Sequence, residues 1–172
     1  MTNMKKLVAS LSVIGLLAGC GSKAGTAVHF DSVSDINGNT YSSEQIFSAN
    51  KVTMVNVWAT TCTACIDEMP DLEKLNHEIE PQDMEIVGVV SDITSLDQKE
   101  PVKEAEDIID TTGITFKTLL SWGNGDILNT AVTPITYFVD SQGKTIGDPV
   151  VGAQSVDNYK TALMKALKSV EQ

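Results

Sequence analysis

Val52-Thr-Met-Val-Asn-Val-Trp58-Ala-Thr-Thr-Cys62-Thr-Ala-Cys65 decides how the chain is read. Val52–Trp58 is almost continuously apolar and β-branched, as a strand covered on both faces should be. After Cys62, Ile66, Met69, Leu72, Leu75 and Ile79 recur at spacings of three or four and predict one apolar face of a helix. Pro70 falls inside that pattern and is expected to kink it. A strand that feeds a helix through two cysteines is therefore the first element pair to place.

Working outward, Met84–Val90 predicts a second buried strand. Pro101 to Thr112 predicts a helix with proline in its first turn and Gly113 as its stop. Phe116–Leu120 is a candidate strand. Ile135–Asp140 and Lys144–Val151 flank Ser141-Gln142-Gly143 as a hairpin, and Val28–Phe30 and Thr40–Tyr41 flank Asn37-Gly38 as another. Val156, Tyr159, Leu163, Leu167 and Val170 mark a C-terminal amphipathic helix whose stripe reads as core. The strand–helix–strand start implies a parallel unit, and the hairpins imply antiparallel edges. The expectation is an α/β fold: a mixed central sheet, helices on both faces and an N-terminal hairpin extension.

The chain has three cysteines. Cys62 and Cys65 are separated by two residues, so a bond between them closes a very short loop and stabilises the fold little. That leaves a redox dithiol or half a metal site. Zinc would need two more ligands, and the two histidines, His29 and His77, do not lie in a ligand-spaced cluster. No metal is expected. At a helix N-terminus, unpaired N–H groups and the helix dipole stabilise a thiolate on the first sulfur. In such motifs the thiol falls from ~8.5 to between ~3.5 and ~7.5. Cys62 is assigned as nucleophile and Cys65 as resolving thiol.

Residues Val55 to Cys65 resemble the thioredoxin-fold active site, and more closely that of membrane-tethered extracytoplasmic thiol–disulfide oxidoreductases of the TlpA/ResA type. Glu68 and Pro70 reproduce that family's Cys-x-x-Cys-x-x-Glu-x-Pro pattern, and Thr133-Pro134-Ile135-Thr136-Tyr137-Phe138 resembles its cis-proline strand. The resemblance covers roughly residues 28 to 170. It implies that Thr133 backbone groups and Pro134 meet an extended substrate, and that Glu68 handles the Cys65 proton or tunes that thiol. Asn56 stands where thioredoxin has a buried Asp, which raises the interest of Glu68. Trp58 is read as packing beneath the motif, and Trp122 as a loop aromatic. Thr61, Thr63 and Ala64 stand where the family often has Trp and Pro, so the potential, and with it the direction of exchange, does not carry over.

The N-terminus reads as an address. Lys5 and Lys6 precede Leu7 to Gly19, an apolar or small run too short to span a bilayer, which takes ~20 residues. Leu17-Ala18-Gly19-Cys20 resembles a bacterial lipobox, implying a signal over residues 1–19, lipid on Cys20, a flexible linker over 20–27 and a thioredoxin-like domain over 28–172. Net charge is −11, and all twelve basic residues are Lys, a poor match to nucleic acid.

The expected protein is therefore a monomer held by lipid on the outer side of a bacterial cell membrane. It needs no cofactor beyond the Cys62–Cys65 disulfide. It exchanges disulfides with exported proteins and is reset by a membrane electron-transfer thiol protein. The alternative is a copper-binding chaperone, although copper-handling relatives use a longer cysteine spacing and a downstream histidine. If Cys20 carries the anchor, Cys20→Ala releases the protein from membranes; retention of the variant in the membrane fraction refutes lipidation.

Overall fold

The computed structural model describes residues 25–122 and 130–171. The lipobox, Cys20 and the expected signal segment lie outside the described residues. The elements are β1 (Val33–Ser34), β2 (Thr40–Tyr41), α1 (Ser43–Phe47), β3 (Val52–Trp58), α2 (Thr63–Ile79), β4 (Met84–Val90), α3 (Lys99–Thr112), β5 (Thr118–Leu120), β6 (Ile135–Asp140), β7 (Val150–Val151) and α4 (Val156–Val170). No helix among the described residues is long and apolar enough to cross a membrane.

Five strands form one sheet in the order β5-β4-β3-β6-β7. β3 pairs in parallel with β4 from Val52–Met84 to Trp58–Val90, and antiparallel with β6 from Val52–Asp140 to Val57–Ile135. All seven residues of β3 are buried, as its unbroken apolar pattern requires. The steps from β3 to β4 and from β4 to β5 advance in the same direction across the sheet. Right-handed crossovers therefore put α2 and α3 on the same face.

That face carries the larger core. Met54, Trp58, Ile86 and Val90 meet Met69, Leu72, Leu75 and Ile79 of α2, Val102 and Ala105 of α3, and Tyr159, Leu163 and Leu167 of α4. The other face is covered unequally, by the N-terminal segment and the short α1. Val28, Phe30, Val33, Ile46 and Phe47 pack there on Val55, Val57, Val87 and Val139. A capping box holds α1: the Gln45 N–H donates to Ser42 Oγ, and the Ser42 N–H donates to Gln45 Oε1.

Several elements differ from the sequence expectation. The first hairpin strand is Val33–Ser34 rather than Val28–Phe30. Val28 and Phe30 are buried all the same, because packing against the sheet does not require ladder hydrogen bonds. The linker expected to run to Ala27 is already tied down: Thr26 N–H donates to Thr145 Oγ1, and Ala27 bridges Lys144. The return strand after Gly143 is broken. Thr145 pairs with Val139, but Gly147 sits at φ +69 and Pro149 has no N–H, so pairing resumes only at Val150. β5 is shorter than expected, starting at Thr118. α2 holds Pro70 in its interior as one helix, in line with the apolar pattern that continues from Ile66 to Ile79; Pro70 has no N–H to donate to the Ile66 carbonyl.

Leu75 is fully buried between α2 and the sheet. Leu75→Ala is expected to cost about 2–5 kcal/mol of unfolding free energy, read by urea denaturation of the oxidised protein. A loss below about 1 kcal/mol contradicts this account of the core.

Candidate active site

β3 ends at Trp58, and four residues later Cys62 caps α2. Cys62 has extended backbone, and its Sγ accepts from the Cys65 N–H at 3.2 Å. That N–H also donates to the Cys62 carbonyl at 3.0 Å, so a first-turn donor of the helix is shared between the carbonyl and the first sulfur. Cys62 and Cys65 are joined by a disulfide with Cα atoms 5.3 Å apart. Cys62 is half-buried, while Cys65 is 1% exposed and belongs to the core.

The loop between strand and helix is anchored from β4. The Thr60 N–H donates to Asp92 Oδ2 at 3.0 Å and the Thr60 hydroxyl to the same oxygen at 2.8 Å. Ser91 ties back to the Trp58 carbonyl through its N–H at 2.8 Å and its hydroxyl at 2.9 Å. Trp58 is fully buried, and its Nε1 has no hydrogen-bond partner. Gly88 on β4 makes room for it: a Cβ there would lie 3.3 Å from Trp58 Nε1 and 3.2 Å from both Phe116 and Thr118 Oγ1. Trp122 packs elsewhere, with its ring centroid 4.5 Å from that of Phe30 on the second face.

The register of β6 on β3 carries Pro134, one residue before Ile135, to the same end of the sheet as the disulfide. The Thr133–Pro134 bond is cis. Pro134 is buried and its carbonyl accepts from the Gly152 N–H at 2.8 Å, while Thr133 is half-buried.

Glu68 lies one turn after Cys65 and is only 6% exposed. Its Oε1 accepts from Asn56 Nδ2 at 3.1 Å. Its Oε2 accepts from the Tyr159 hydroxyl at 2.9 Å and from the Gln154 N–H at 3.2 Å. Asn56 Nδ2 also donates to Thr136 Oγ1 at 3.1 Å, which links β3, α2, β6 and the start of α4. Burial drives the Glu68 carboxyl above the ordinary carboxylate value; the donors from Tyr159, Asn56 and Gln154 pull it back only in part. The Tyr159 phenol is pushed far above its usual value, first by burial and then by the adjacent carboxylate.

Neither histidine is brought to the sulfurs. His77 pairs with Glu73 near the far end of α2, about 18 Å along the helix from Cys65. His29 contacts Asp31 and Ser43 on the second face. Among the described residues, no cluster of three or more His, Cys, Asp or Glu could hold a metal, so the copper reading finds no further ligand there. The sequence reading singled out Cys62, Cys65, Glu68 and Asn56 but missed Tyr159, Gln154 and Asp92. Tyr159 belongs to an apolar stripe and is 91 residues from Glu68, so no local pattern marks it. Asp92 had a usable signal, as a polar residue just past the carboxyl end of a parallel strand.

Because the folded protein keeps a proton on Glu68 that the unfolded chain has lost, stability falls as pH rises from the ordinary to the raised carboxyl value. Glu85 is raised in the same direction, so the difference between the parent and Glu68→Gln isolates Glu68. In denaturant titrations of the oxidised proteins from about pH 4 upward, that difference should move against the parent as pH rises. Parallel profiles would exclude a perturbed Glu68.

The profile of the Redoxin family matches residues 22–163. The thioredoxin-like protein YneN of Bacillus subtilis is 33% identical over 106 residues, 61% of this chain and 59% of that protein. The thiol-disulfide oxidoreductase ResA of Oceanobacillus iheyensis is 36% identical over 113 residues, 64% of this chain and 54% of that protein. The aligned stretch thus spans little more than half of each relative. A thioredoxin-family thiol:disulfide interchange protein from Chlorobium tepidum superposes with a TM-score of 0.69 at 19% identity, covering 86% of this chain and 99% of that one. StoA of Bacillus subtilis gives 0.61 at 16% identity, covering 80% and 97%. A cysteine pair at the N-terminus of the helix after a buried parallel strand, a cis-proline just before the neighbouring strand and these matches lead to one assignment: the chain has the thioredoxin-like fold and belongs to the Redoxin family, with relatives of the ResA and YneN type.

Proposed function

We propose that the protein is an extracytoplasmic thiol–disulfide oxidoreductase that exchanges disulfides with exported proteins through Cys62 and Cys65. The observation that carries this reading is the asymmetry of the pair. The half-buried sulfur of Cys62 receives a helix N-terminal N–H, while the buried sulfur of Cys65 faces the core. A partner can reach Cys62, and among the described residues it is the Cys62 sulfur that has a donor in place to stabilise the thiolate.

In the reducing direction, the Cys62 thiolate attacks one sulfur of a client disulfide. The client's other sulfur leaves as a thiolate and takes up a proton. Cys65 then loses its proton and attacks Cys62 Sγ. The mixed disulfide breaks, and the client's second sulfur leaves as a thiolate. The client gains two electrons, and the chain ends as the Cys62–Cys65 disulfide. Glu68, one turn from Cys65 and shielded from water, is the proton acceptor for the second step. The backbone of Thr133, which precedes β6 at the same end of the sheet as the pair, aligns the extended client chain, and the buried Trp58 supports the motif. A membrane electron-transfer thiol protein resets the pair, and lipid on Cys20 keeps the protein on the outward-facing side of the cell membrane. The same steps run backward when the pair is the stronger oxidant.

The reduced protein should reduce insulin. Cys62→Ser abolishes turnover, and Cys65→Ser accumulates a mixed disulfide with the substrate because the second attack is lost. Full activity in Cys62→Ser refutes the assignment. The reduction potential of the pair sets the direction: a value near about −270 mV marks a reductant and one near about −120 mV an oxidant.

A further inference from the structure

We propose that Tyr159 is a positioning residue of the exchange reaction: its hydroxyl, donated across from α4, sets the proton affinity of Glu68 and so the pH at which Cys65 can be deprotonated. The inference rests on the thiol–disulfide reading above and adds a residue to it.

The geometry singles out this phenol. Tyr159 is 1% exposed and donates to Glu68 Oε2 at 2.9 Å, the shortest of the hydrogen bonds to that carboxylate. The other donors come from Asn56 on β3 and the Gln154 N–H before α4. Asn56 divides its amide between Glu68 and Thr136 of β6. Several charged groups on the surrounding helices are engaged with other partners. Glu73 binds Thr115 and His77, Lys160 binds Glu78, Lys103 binds Asp107, and Lys74 binds Asp71. Among the described residues no cation hydrogen-bonds Glu68, so its proton affinity is set there by burial against three neutral donors. A backbone N–H cannot be exchanged by side-chain substitution, and Asn56 also donates to Thr136; the Tyr159 hydroxyl, which Thr136 and the Gln154 backbone also meet, is the donor that a single-atom change, Tyr159→Phe, removes while keeping the ring.

The phenol favours the ionised carboxylate, because only the anion draws full strength from three donors. If Glu68 receives the Cys65 proton, the carboxylate must be free of its own proton at working pH. Removing the phenol makes Glu68 retain a proton to higher pH and delays its availability as a base.

The test uses the whole chain with ¹³C-labelled Glu carboxyl groups. In the oxidised protein, NMR titration reads the Glu68 midpoint without any turnover, its signal being assigned by its loss in Glu68→Gln. Tyr159→Phe keeps the buried ring and should raise the midpoint by about one pH unit. Site-specific 3-fluorotyrosine at position 159, a stronger donor, should lower it; a merely structural role does not produce opposite shifts. In the reduced protein, the rising limb of the insulin-reduction pH profile should move up by a similar amount in Tyr159→Phe, and Tyr159→Phe should cause no shift in a Glu68→Gln background. A Glu68 midpoint unchanged in Tyr159→Phe overturns the proposal, as does an equal shift of the profile in both backgrounds. Absence of insulin reduction by the parent protein, with the midpoint shifts intact, would instead refute the oxidoreductase reading and leave the Tyr159–Glu68 coupling standing.

Discussion

The in-register parallel pairing of β3 with β4 governs the placement of everything else. Parallel neighbours require a crossover, and a helix is the compact way to build one. The residue that ends the loop after β3 must therefore cap a helix, and that residue is Cys62. Its sulfur takes the position that a serine or aspartate oxygen usually occupies at such a cap. The next crossover, from β4 to β5, has the same hand and direction, so α3 joins α2 on one face, in the core cluster that also holds Cys65. The difference in exposure between the two sulfurs is a consequence of this winding.

The second constraint is electrostatic. A carboxylate taken out of water must either accept strong hydrogen bonds or hold its proton. Glu68 does some of each: three donors surround it, yet desolvation outweighs them and its proton affinity rises. Three secondary-structure elements besides its own helix contribute to that environment. A carboxyl in this environment costs stability once ionised, a common feature of sites whose groups must change protonation state. Asp92 has a simpler role, holding Thr60 and with it the entry to the cap.

The second face follows another logic. It is covered by an irregular N-terminal segment and a five-residue helix, stitched at Thr26–Thr145, Val28–Gly143 and Ser43–Phe30. Isolated helices of this length are marginal, so α1 depends on its capping box and on the burial of Ile46 and Phe47. Few local signals accompany such a layer, which is why the hairpin was expected at Val28–Phe30 and α1 was not foreseen. The strands and helices of the central unit were legible because each carries its own period. β3, β4, β6 and α4 fall where their apolar patterns place them, and α3 begins two residues early but ends at Gly113, whose φ of +71 suits the left-handed cap.

From the sequence alone followed the βα junction, the cysteine spacing, the proline before β6 and the acid one turn past Cys65. Each is written in a few adjacent residues whose chemistry is local. Tertiary structure alone decided which sulfur is buried, what surrounds Glu68 and which side of the sheet each helix covers. These depend on contacts between residues as far apart as Glu68 and Tyr159, and a chain's local pattern records that a side chain is apolar or polar but not which distant partner will meet it.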